Sequence, residues 1–140
     1  MPAALSAITT LLLVRNSTPA EAFADNIRRL MARDGISQNE LGKLAGIAQT
    51  NISGLVKKSL KPKNPKFETL AKLAAHFKVE PWLLLVPEIP LELLSDHSLS
   101  RVLASYTVVS DKGRQMILHV AEQEARYTAL DADSSSRKAG

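Results

Sequence analysis

The sequence predicts an all-α fold, a five-helix domain followed by a helical extension. Three observations carry that prediction. Phe23, Ile27, Leu30 and Met31 repeat at i, i+4, i+7 and i+8, the stripe that buries one side of a helix. Thr18 with Glu21 and Ser37 with Glu40 have the capping-box spacing of two helix starts. Between residues 23 and 82, the segment that holds the core, no run makes a convincing strand. At 140 residues the chain can hold one domain with a reasonable core plus an appendage.

Residues 1–17 are expected to be a leader or packing segment. Met1 to Val14 is apolar enough to raise a signal peptide, yet it has no positive n-region and Arg15 closes a run too short to span a bilayer. Leu5, Ile8, Leu11 and Leu12 suit a helix, whereas Thr9 to Val14 equally suits a short buried strand.

The domain is placed at 18–88. Its first helix opens on Thr18, with Pro19 at the first helical position, and stops at Gly35, a residue suited to left-handed backbone. The second opens on Ser37, faces inward with Leu41, Leu44 and Ala45, and ends before Gly46. The third begins near Gln49 after Ala48, a poor cap. Gly54 within it costs about 1 kcal/mol relative to Ala, so burial of Ile52 and Leu55 must hold this helix. A fourth runs from Asn64–Pro65 with the stripe Phe67, Leu70, Leu73, Ala74 and Phe77, and a fifth, short one from Pro81 through Trp82 to Leu85. Phe67, Phe77 and Trp82 could form a stacking platform, but their helical spacing favours core packing.

After Pro87 and Pro90 the composition changes, and residues 89–129 are expected to form a helical extension used for dimerisation. Leu91 to Leu94 and Leu99 to Tyr106 read as short helices. A longer one runs from a Ser110–Asp111 cap to about Thr128, with Met116, Ile117, Val120, Ala121 and Tyr127 on one side. Residues 130–140 lack apolar periodicity and are expected to be disordered.

Charge narrows the function. Residues 1–36 carry +1, residues 37–66 carry +5 and residues 67–140 carry −2 of the net +4. Positive charge so concentrated suits nucleic acid, and a membrane surface would also satisfy it. The chain has no cysteine, which excludes disulfides and thiolate metal sites and is compatible with the cytoplasm. His76, His97 and His119 are too scattered for a metal cluster, and no acid/base constellation appears, so neither an enzyme nor a cofactor is expected.

Within that basic region, Gln38 to Lys57 reads as two short helices about a sharp turn. A larger side chain at Gly42 would push the helices apart, and Gly46 sits where the turn needs positive φ. Gln49, Thr50, Asn51 and Ser53 face outward. An exposed Gln or Asn can pair in bidentate fashion with adenine in the major groove. Lys57, Lys58, Lys61, Lys63 and Lys66 follow in an exposed loop broken by Pro62 and Pro65, suited to sequence-independent phosphate attraction.

On these residues, Gln38 to Lys57, and more loosely Phe23 to Leu85 with its VEPWLLL ending, resembles the helix-turn-helix domain of the lambdoid phage repressor and Cro family, the XRE-type regulators. The resemblance implies a prokaryotic or phage transcription regulator, a repressor that binds a pseudopalindromic operator as a homodimer in the cytoplasm, at the nucleoid. It implies that Gln49, Thr50 and Ser53 meet base edges, that Asn51 touches bases or backbone, and that Gln38 braces the helix on a phosphate. Trp82 and Leu85, with Met116, Val120 and Tyr127 from the extension, are the expected dimer contacts. Gly54 departs from the family, whose members often carry a longer reading side chain there. Two alternatives stay open: an antitoxin-like autorepressor whose tail holds a protein partner, and a protein-interaction module that has lost DNA binding.

Overall fold

The computed structural model describes residues 17–58 and 61–139; apart from Ser17, the expected leader lies outside them. The described residues are helical, with no strand: α1 (Pro19–Asp34), α2 (Gln38–Ala45), α3 (Gln49–Val56), α4 (Phe67–Phe77), a 3-10 turn (Pro81–Leu85), α5 (Leu91–Ser95), α6 (Ser98–Val108) and α7 (Asp111–Lys138). The chain divides into two compact units, one of residues Ser17–Ser100 and one that takes in residues 101–139.

In the first unit α1 is the central strut, packed against α3, the 3-10 turn and α5. Both expected capping boxes form: Thr18 Oγ1 accepts from the Glu21 amide and the Glu21 carboxylate accepts from the Thr18 amide, and Ser37 and Glu40 are paired in the same way. Each ties down two amides that a helix start would otherwise leave unpaired. These exchanges hold the Glu21 and Glu40 carboxyls below the usual glutamate range, chiefly through the bonds from the Thr18 and Ser37 amides. Gly35 ends α1 in left-handed backbone, at φ 64°.

Phe23, Ile27 and Leu30 of α1 meet Leu41, Ile52, Leu73, Leu83, Leu84 and Leu94 in one core. That core reaches past residue 88, since Ile89 and Leu94 are both buried in it. Among the described residues, Asn26 is its one buried polar residue. Its amide nitrogen donates to the Leu84 and Val86 carbonyls at 3.0 and 2.9 Å, and its oxygen accepts from Arg29, which also donates to the Ile89 carbonyl. Burial is tolerable because the side chain's hydrogen-bonding groups are paired.

Three expected core residues are on the surface instead. Leu44 is 62% exposed, because the buried side of α2 centres on Leu41, Gly42 and the half-buried Ala45, and at about 100° per residue Leu44 points well away from that side. Phe67 is 89% exposed: burial on α4 begins at Leu70, so its first turn projects beyond the core. That helix starts two residues later than expected, at Phe67, with Lys66 giving no side-chain cap. Trp82 is 40% exposed, because a 3-10 turn repeats every three residues and puts Trp82 with Leu85 opposite the buried Leu83 and Leu84.

In the second unit Ser110 caps α7 by accepting from the Gly113 amide, and Arg114 bonds Asp111 and the Tyr106 and Thr107 carbonyls. No residue of α7 is buried. The helix runs on to Lys138, through the stretch from residue 130 for which the sequence predicts disorder; there it is supported by local contacts such as the Arg137–Asp133 pair at 3.3 Å. Among the described residues, no helix is long and apolar enough to cross a membrane.

Candidate nucleic-acid interface

The turn between α2 and α3 is fixed by backbone. Gly46 closes α2 at φ 67°, where an L side chain would be strained, and the Ile47 amide donates to the Gly42 carbonyl at 2.9 Å. A Cβ on Gly42 would stand 2.7 Å from the Ile47 carbonyl oxygen, so the expected need for a small residue is met by contact with the turn itself. Ile47, Ile52, Leu55 and Val56 are buried and seat α3 on the core.

That seating decides which side of α3 is available. Gln49, Thr50 and Asn51 are exposed on its first turn, and Ser53 and Gly54 are half-buried beyond them. Ala48 provides no side-chain cap, so the amides that open α3 have no side-chain partner from that position. Gln38 is half-buried at the first position of α2, directly after the Ser37 cap. The expected base-reading residues therefore share one short, firmly anchored helix, and the expected phosphate brace opens its neighbour.

Lysines extend the surface unevenly. Lys57 follows α3 and its amide caps the helix on the Ser53 carbonyl; Lys58 is exposed beside it. Lys63 folds back to α3: its amide donates to the Gly54 carbonyl at 3.4 Å, and its Cδ lies 3.6 Å from where a Cβ of Gly54 would be. Lys61 is exposed, and its charge adds slightly to the lowering of the Glu21 carboxyl's pKa.

Three contributors escaped sequence reasoning. Arg28 on α1 donates to the Val56 carbonyl at 2.8 Å, satisfying the C-terminal end of α3 and fixing it to the strut, with Asp25 3.7 Å from the same guanidinium. Nothing local marks that role, because the partner lies 28 residues on. Asn39 and Lys43 of α2 line a cleft of about 340 Å³ with Gln49 at the turn, and Lys43 is exposed there. Its signal was available as the single basic residue between Ser37 and Gln49.

Of the expected dimer contacts, Trp82 and the half-buried Leu85 share the outer side of the 3-10 turn, and Met116, Val120 and Tyr127 are 62%, 55% and 60% exposed on α7. Among the described residues no cluster of three or more His, Cys, Asp or Glu is placed to hold a metal ion.

Comparison with curated proteins and with solved structures finds no match. Residues 26–87 match the family model of the Cro/C1-type HTH DNA-binding domain, a span that takes in most of α1, the turn, α3, the lysine loop, α4 and the 3-10 turn. With Gly42 and Gly46 shaping the turn and α3 displayed by a buried opposite side, residues 26–87 form a Cro/C1-type helix-turn-helix domain of the lambdoid repressor/Cro-like kind, which supports a DNA-binding transcription regulator.

Proposed function

We propose that the protein is a repressor that binds a pseudopalindromic operator as a homodimer, in the cytoplasm at the nucleoid, each copy placing α3 in a major groove. The observation that carries this reading is the outward side of α3: Gln49, Thr50 and Asn51 are exposed while Ile52, Leu55 and Val56 lock the helix to the core. An α-helix fits the major groove, and amide side chains held on a rigid helix can match the donor–acceptor pattern of adenine. Gln38, Lys57, Lys58 and Lys61 supply phosphate attraction, which adds affinity without selecting sequence. A homodimer follows from reach, since one helix meets only a few base pairs whereas two copies about 34 Å apart read two half-sites.

Selection of full-length protein on a randomised duplex library tests this. A palindromic motif is expected, and Gln49→Ala with Asn51→Ala should erase the preference while leaving weak, salt-sensitive binding. Unchanged selection by that double variant would sink the assignment of α3 as reader.

The exposed apolar side of α7 also favours a second reading, an antitoxin-like autorepressor whose extension holds another protein. A defined second chain that copurifies in stoichiometric amount would support it, and a self-contained dimer would count against it.

A further inference from the structure

We infer that Lys63 reads a base in place of the side chain that Gly54 lacks, donating from its ammonium to the O6 and N7 edge of a guanine. The inference rests on the proposed insertion of α3 into the major groove.

Gly54 lies one helical turn after the exposed Thr50, so a side chain there would extend the same outward stripe. Glycine leaves that place empty, and the stem of Lys63 runs beside it at contact distance. The Cδ and Cε of Lys63 lie 3.6 and 3.9 Å from the position of a Gly54 Cβ, and the Lys63 amide is tied to the Gly54 carbonyl. Pro62 precedes Lys63, and Pro65 restricts Asn64 after it, which stiffens the segment that delivers the lysine. A cleft of about 170 Å³ bounded by Thr50, Asn51, Gly54, Lys63 and Asn64 leaves room beside the stem.

Position distinguishes this lysine from its neighbours. A phosphate contact needs only charge near the backbone, and a free lysine on a loop suffices. Base reading needs donors held against the side of the helix that enters the groove, as the tether to Gly54 holds Lys63. Guanine suits an ammonium because its major-groove edge offers two acceptors, whereas adenine pairs one acceptor with a donor.

The test uses full-length wild type, Lys63→Gln, Lys63→Arg and Gly54→Gln, each selected on the randomised duplex library and then titrated against the chosen duplex and its single-base variants over a range of salt. Wild type should require guanine at one position of each half-site. Lys63→Gln should lower discrimination at that position roughly 5- to 100-fold, leave the others intact and barely change the salt slope. Lys63→Arg should keep guanine, and Gly54→Gln, which puts an amide side chain on the reading helix beside the stem, should shift that position towards adenine. A uniform loss across all sequences by Lys63→Gln, with the salt slope falling by about one, would make Lys63 a phosphate contact and overturn the inference alone. A wild-type motif without guanine would also overturn it. If wild type selects no sequence at all, the reading role of α3 falls and this inference with it.

Discussion

Gly42 and Gly54 sit in adjacent helices, lack the same side chain and should respond oppositely to gaining one. At Gly42 the added Cβ meets a backbone carbonyl at 2.7 Å, which cannot move without opening the turn. Gly42→Ala is therefore expected to cost about 1–3 kcal/mol by overpacking. At Gly54 the nearest atom is a lysine methylene at 3.6 Å, ordinary contact on a flexible stem. Gly54→Ala is expected to gain up to about 1 kcal/mol through helix propensity. Urea denaturation of both variants reads the contrast, and equal responses would refute the contact assignment. Asn26 is the third case: Asn26→Ala leaves the buried Leu84 carbonyl and its Val86 neighbour without their donor, at an expected cost of about 1–3 kcal/mol. The glycine roles were legible in sequence because a turn is local. Asn26 was not, since its partners lie 58 and 60 residues away.

Helix boundaries follow the same division between near and far. The caps at Thr18, Ser37 and Ser110 were readable because cap and partner are three residues apart. The end of α4 was not, as Lys78 adopts left-handed backbone at φ 56° with no glycine to announce it. Nor did periodicity alone reveal that Leu44, Phe67 and Trp82 face solvent, because it gives spacing along a helix but not where neighbouring elements end. The capping boxes also set a pH dependence. Since the folded Glu40 carboxyl has a lowered pKa, through the Ser37 amide bond first, the unfolded chain binds the proton more readily. Its stabilising contribution is full at neutral pH and is lost as pH falls through the ordinary glutamate range, about 4, and on through the lower folded value. Glu40→Gln should flatten that acid limb in denaturation curves taken between about pH 3 and pH 6. A limb of undiminished slope would remove Glu40 from the explanation. At the other end, deleting residues 130–140 should leave the melting temperature of the Ser17–Ser100 unit unchanged, because that end of α7 buries nothing.

Charge and apolar surface are segregated along the whole chain, and the segregation argues for two separate tasks. Residues 37–66 hold +5 and include the display helix and the lysine loop, whereas residues 67–140 carry −2. The extension from residue 101 on is close to neutral, with six basic and five acidic residues, so it adds little attraction for DNA and its exposed apolar residues call for a protein surface. On α7, Met116, Val120, Gln123, Tyr127 and Leu130 step by four, three, four and three residues, the spacing of a two-helix seam with one polar position. The four apolar members are between 55% and 63% exposed, so the seam lacks cover among the described residues. A second copy of α7 would supply that cover and tether two reading helices, converting two weak half-site contacts into one strong one. Met116→Lys with Val120→Lys is expected to yield a monomer in sedimentation at micromolar concentration. Because α7 contributes nothing buried to the domain core, the melting temperature of the domain should hold while operator affinity falls by at least about 100-fold. A double variant that remains dimeric would move the interface to the exposed Trp82 and the half-buried Leu85, and a wild type that is monomeric on its operator would remove the dimer altogether.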